Sequence, residues 1–284
     1  MLKDRVITAI ALLVVLLPAL FYHRPEPFFA VTLVLIVAAG WEWGRLNGCS
    51  QTSSLALAAV CLVLCAFAWY AGLLAKPSPL LWQLVGAAWV LAGAWLLLRG
   101  AAGWSALPKA IHLSAGVAVM CMAWLALAQA RVLGIGFLLS VLLLVWVADV
   151  GAYVAGRSLG GRFIKNKLAP AISPGKSWEG VLGGALGVLL MAAAWVALDV
   201  GNSASFMSGS LYARLWTQLG GAVTLLAVVF LVAFSVVGDL VESLIKRSAG
   251  VKDSSNLLPG HGGVLDRVDA LLPTLPLALM LVTL

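Results

Sequence analysis

The chain has 284 residues, 63% of them hydrophobic and only 10% charged, with a mean hydropathy of +1.06. An average soluble chain carries roughly 25% charged residues, so the composition excludes an ordinary soluble domain and points to a polytopic membrane protein with a net charge of +7. Only helices and closed barrels satisfy their own backbone in lipid, and the apolar runs here are too long and continuous for barrel strands, so the expected fold is all-α.

Runs able to cross a hydrocarbon core of about 30 Å predict nine helices, near residues 6–22, 28–44, 55–74, 80–98, 111–130, 134–156, 178–198, 216–245 and 270–284. The last reaches only about 22 Å at a rise of about 1.5 Å per residue, which predicts a short or partial span. The first begins with Lys3 and Arg5 and could pass for a secretory signal. Its long apolar run and the bulky Leu20, Phe21 and Tyr22 after Pro18 make it an anchor instead. Residues 1–110 hold little chemistry and are read as mainly structural. Glu42, their one conspicuous acid, is expected to pair with Arg45 three residues on and to play a structural part between Trp41 and Trp43. Cys49, Cys61, Cys65 and Cys121 lack metal-ligand spacing and read as ordinary buried thiols.

Residues 111–284 carry the chemistry, on two polar loops, 157–177 and 246–269. With the N-terminus in the cytoplasm, 14 of the 18 Lys and Arg lie on the cytoplasmic side, and only Arg24, Lys76, Arg131 and Arg214 lie outside. The positive-inside rule then places both polar loops where nucleotides are found. Ahead of the first loop, Asp149 lies well inside the sixth apolar run, where an acid marks a polar cavity or a charged partner. At the end of that loop Ser177 is suited to cap the seventh helix, with Lys176 beside its free N–H groups, an anion-binding arrangement. The GKS at 175–177 is not a Walker A loop, because its first glycine would fall on Pro170 and no strand precedes it. Gly180, Gly183, Gly184 and Gly187 have the spacing of close helix packing.

The eighth helix ends with Asp239, Glu242, Ser243 and Lys246, which share one helical face. Downstream come Lys252, Asp253, His261, Asp266, Arg267 and Asp269. If this loop folds back on its helix, Asp266 can meet Asp239 and offer two carboxylates to Mg²⁺, which completes its shell with water and phosphate. A lone His and no usable Cys make zinc a poor fit. Lys246, Arg247, Lys252, His261 and Arg267 are then candidates to hold phosphates, and Lys176 and Ser177 to hold a lipid head or a nucleotide.

Two stretches carry a family resemblance. One is Ser243-x-x-Lys246-Arg247, Lys252-Asp253, then Pro259-x-His261-Gly262-Gly263-x-x-Asp266-Arg267-x-Asp269. The other is Asp149-x-Gly151-Ala152-Tyr153 followed by Ser173-Pro174-x-Lys176-Ser177-Trp178-x-Gly180. Together they resemble the phosphatidate cytidylyltransferases, the CDP-diacylglycerol synthases. Gly160 to Lys167, between the two parts of the second stretch, is a few residues longer than the family pattern. The resemblance implies metal ligation by Asp239 and Asp266, with Asp253 and Asp269 in the same polar centre. It also implies CTP and phosphatidate as substrates, Mg²⁺ alone or with a second cation, a homodimer, and a bacterial inner membrane. Two rivals stand beside it. A CDP-alcohol phosphotransferase would need an Asp-x-x-Asp-Gly-x-x-Ala-Arg motif that the chain lacks, and an ion-coupled transporter would explain the buried acids but not the basic loops.

Overall fold

The computed structural model describes residues 2–201 and 208–284, whose regular structure is helical, with no named strand among the described residues. Among the described residues eight helices are long and apolar enough to cross a bilayer: α1 (Leu2–Phe21), α2 (Glu26–Leu46), α3 (Gln51–Tyr70), α4 (Pro79–Ser105), α5 (Lys109–Leu133), α6 (Ile135–Leu159), α7 (Trp178–Gly201) and α8 (Leu211–Ser248). A single turn, α9 (Leu265–Val268), and a short helix, α10 (Leu271–Val282), complete the bundle.

The ninth predicted segment is thus helical but covers 12 residues, about 18 Å. It is packed against α4, α5, α6 and α8, with Leu272 to Leu279 buried. The eighth segment begins earlier than its apolar run, at a cap where Ser210 Oγ accepts from Ala213 N at 3.2 Å. It then breaks at Gly220, whose φ of 76° belongs to the left-handed region that favours glycine. The short piece before the break is anchored to α6: Leu211 N donates to Ser140 Oγ at 2.9 Å and the Tyr212 hydroxyl to Ser140 O at 3.0 Å.

The division near residue 110 is not a boundary in space, since α2 and α3 pack on α5 and α4 packs on α8 and α10. Polar side chains join these parts at the end of the bundle that holds the 22–25 and 71–78 connections. Arg131, buried at the end of α5, donates to the carbonyls of Leu20 at 3.0 Å and Tyr22 at 2.8 Å. Gln129 accepts from Trp82 Nε1 at 2.9 Å and donates to Leu73 O at 2.8 Å. In lipid such groups have only protein to bond with. The four cysteines are free thiols, three of them buried.

The closest packing is between α6 and α7. A Cβ on Gly184 would stand 2.6 Å from the Ala148 carbonyl oxygen, and one on Gly180 2.9 Å from that of Ala152. The glycine spacing therefore serves backbone-to-backbone contact, as expected of small residues in membrane interfaces. Gly184→Leu should cost about 1–3 kcal/mol or more through overpacking, seen as a lowered Tm of the detergent-solubilised protein. Leucine at the open Gly175, where an added Cβ meets nothing within 4 Å, should leave Tm nearly unchanged.

Candidate active site

Both polar loops lie at one end of the bundle, together with the N-terminal end of α1. Arg5 Nε donates to Gly260 O at 2.9 Å and Thr8 Oγ1 to Pro259 O at 3.0 Å. The C-terminal end of α8 divides this region into two charged clusters.

The first cluster surrounds a cavity of about 270 Å³ between α6, α7 and α8, lined by Asp149, Tyr153, Lys176, Ser177 and Asp239 among others. Asp239 Oδ2 meets Lys176 Nζ at 2.6 Å, and its Oδ1 accepts from Ser243 Oγ at 3.2 Å. Ser177 caps α7 as the sequence predicts, its Oγ accepting from Gly180 N at 3.2 Å. Glu179, in the first turn of α7, folds back to accept from Phe163 N at 3.1 Å and Ile164 N at 2.9 Å, which shapes the loop ahead of the cap.

The second cluster is centred on the buried Lys246. Its ammonium contacts the Glu242 carboxylate one turn back and donates to Asp266 Oδ1 at 2.6 Å. Asp266 Oδ2 accepts from Ser254 N at 2.8 Å, Ser254 Oγ at 2.8 Å and Gly263 N at 2.7 Å. Burial pushes the Asp266 carboxyl up, but the Lys246 ammonium and the Gly263 and Ser254 N–H groups outweigh it, so its pKa falls below the usual carboxylate value.

The loop does fold back on α8, and Asp266 meets Lys246 there. Two acids share electrostatic space with Asp239: Asp149, and Asp269 one turn beyond Asp266. The Asp269 carboxyl is pushed up to about 7, first by burial and then by the charge of Asp239. Asp269 Oδ1 accepts from Ala270 N at 2.8 Å.

The expected phosphate holders also divide. Lys246 is committed to two carboxylates. Arg267 turns both its Nε and Nη2 onto the His261 carbonyl, at 3.0 and 2.5 Å. Arg247 reaches Val251 O at 3.2 Å and Ile172 O at 3.5 Å, tying one polar loop to the other. Lys252 and Asp253 are exposed at the surface of the loop, and His261 is half-buried.

Glu42 is the site-end residue whose part the sequence did not reveal. Its carboxylate, with no exposed surface, accepts from Val264 N at 2.9 Å, Leu265 N at 2.8 Å, Ser255 Oγ at 2.5 Å and Ser254 Oγ at 3.2 Å. The expected pairing with Arg45 does not form. Arg45 bonds Gln51 at 3.2 Å and lies over the Trp41 ring.

Among the described residues no three His, Cys, Asp or Glu side chains converge as a ready metal cage. Asp149 and Asp239 nevertheless line the cavity with a single ammonium, Lys176, and Asp269 lies close enough to feel the charges of Asp239, Lys246 and Asp149. That donor set suits a hard cation held by one or two carboxylates, with water and phosphate completing its shell.

Fold and site together define a polytopic, all-helical membrane protein with a pocket built for charged ligands. The chain belongs to the Cytidylyltransferase family, whose profile matches residues 3–284. It is 40% identical to a phosphatidate cytidylyltransferase of Pseudomonas aeruginosa over 288 aligned residues, covering 97% of this chain and 95% of the relative. It is 36% identical to the protein of that name from Haemophilus influenzae, covering 97% and 96%. A Staphylococcus epidermidis phosphatidate cytidylyltransferase is 40% identical over 149 residues, about half of each chain.

The two lysines should separate in stability measurements. Lys246→Met leaves Glu242 and Asp266 buried without their cation and should cost about 3–5 kcal/mol. Lys176→Met, in a pair whose side chains are 24% and 33% exposed, should cost less, about 1 kcal/mol. Thermal or denaturant unfolding of the two variants in the same detergent checks the order.

Proposed function

We propose that this chain joins phosphatidate to the CMP part of CTP, releasing pyrophosphate and forming CDP-diacylglycerol, at the cytoplasmic face of a bacterial inner membrane. The observation that carries the reading is the cavity in which Asp149 and Asp239 face Lys176 at the capped start of α7. Support also comes from the names of relatives that align over nearly the whole chain.

A phosphate oxygen of phosphatidate would attack the α-phosphorus of CTP in line. That oxygen is anionic near neutral pH, so the site needs no strong base, and the protein's task is positioning and charge neutralisation. The free N–H groups at the start of α7, with Lys176, would hold phosphate oxygens. The exposed Lys252 would approach the triphosphate from the loop. Asp239 and Asp269, with Asp149 beside them, would hold Mg²⁺, which when bound would neutralise charge on the triphosphate and the departing pyrophosphate. Asp266, tied to Lys246, would shape the loop around the nucleotide rather than bind the cation alone. On the other side of α8 a cavity of about 330 Å³, lined by Trp43, Trp89, Trp104, Met122 and Leu272, offers apolar surface close to the polar site.

Purified protein given labelled CTP, phosphatidate and Mg²⁺ should yield pyrophosphate and lipid-linked cytidine one for one. Free phosphate, or CMP without labelled lipid, would overturn the proposal. Asp239→Asn should lower turnover by roughly 10²–10³-fold, the scale for loss of a transition-state charge contact, while leaving the amount of protein in the membrane unchanged.

For orientation, single cysteines are placed at the exposed Ala171 and Asn256 of the two polar loops and at Ala75, exposed at the opposite end. Impermeant thiol reagents should label the first two only from the cytoplasmic side and the third only from outside. Labelling of all three from one side would sink the topology.

A further inference from the structure

We propose that Glu42 is a positioning residue of the active site: a carboxylate carried by α2 that holds the 254–265 segment in the form that keeps Asp266 on Lys246 and Asp269 near Asp239. The inference deepens the proposed function and rests on it for its activity arm.

The geometry is that of a clasp. Four donors converge on one carboxylate, two backbone N–H groups from Val264 and Leu265 and two hydroxyls from Ser254 and Ser255. A carboxylate accepts at about four lone-pair positions and donates none, so this group is filled by the loop alone. The two N–H groups belong to the first turn around α9, where backbone donors have no helical partner. Without Glu42 they would be buried and unpaired, at a cost larger than the bond is worth when made.

The clasp is coupled to the reacting end through Ser254. Its hydroxyl lies within hydrogen-bond distance of both Glu42 Oε2, at 3.2 Å, and Asp266 Oδ2, at 2.8 Å. One proton serves two carboxylates, so movement of either acid changes the bonding of the other. Gly263 closes the arrangement. A Cβ there would meet the Ser254 hydroxyl and stand 2.5 Å from Glu42 Oε1, so the backbone passes the acid at a distance only glycine allows. Glu42 itself is walled from the substrate cavity between α6, α7 and α8, whose lining does not include it. Its effect on chemistry is therefore transmitted through the loop.

A glutamine fills the same volume but offers one acceptor oxygen and an NH₂ group that faces donors. Glu42→Gln should free the loop without removing a helix from the bundle. The test uses full-length protein in nanodiscs, with the half-buried Cys49 replaced by Ser, carrying a single reporter cysteine at the buried Val264 of the clasped segment or at the half-buried Ile172 of the other polar loop. In the Glu42→Gln background, thiol labelling at position 264 should accelerate roughly 10-fold or more, as expected for loss of a charge-assisted bond of about 1.5–3 kcal/mol, while labelling at 172 stays as it was. Without a reporter cysteine, the kcat for lipid-linked cytidine should fall by roughly 10–100-fold with less change in KM for phosphatidate. Unchanged labelling at 264, or equal acceleration at both positions, would overturn the clasp. Faster labelling at 264 with turnover within about twofold of the parent would overturn the positioning role. A parent that transfers no cytidylyl group would count against the proposed function, and the labelling ratio would still decide whether Glu42 holds the loop.

Discussion

The ammonium of Lys246, bonded to Asp266 and in contact with Glu242, is the interaction on which the site end of the bundle depends. Two acids share one cation there away from solvent, so removing Lys246 would leave both without their partner. The pairing joins α8 to α9, and α9 is a single turn. Asp266 is held against α8 by that pair, and Asp269, one turn on, lies close enough to Asp239 to feel its charge. The loop that precedes α9 is held from its far side by Glu42, and its shape is therefore set from two directions by acids.

Much of this was legible in the sequence, because the features concerned are local. Apolar run length gave the eight long helices, and 15 terminal residues gave a segment too short to span. Ser177 read as a helix cap because capping needs only the next three residues. Glycines four apart read as close packing because that spacing stays on one helical face. Both loop motifs and the resemblance they carry lie in contiguous stretches.

What the sequence withheld was the choice of partner across space. Asp266 and Asp269 stand three apart in a single-turn helix, and no periodicity states which one faces α8's Asp239. Lys246 and Arg267 looked available for phosphate because a list of cations does not show which are already bonded. Glu42 lies more than 200 positions from the loop it binds, and its neighbour Arg45 offered a simpler local partner. The helix break at Gly220 was hidden for a related reason: the residues on both sides favour helix, and only the glycine's left-handed φ interrupts them.

The backbone contact between α6 and α7 carries a kinetic consequence. Where two helices touch through glycine and carbonyl groups, there are no side chains whose rotamer changes could let the wall yield. One side of the substrate cavity is then rigid on the timescale of side-chain motion. Any widening of that cavity for a bulky ligand is then left to its remaining walls, the Val232, Val236 and Asp239 face of α8 and the turn at Gly175 to Ser177.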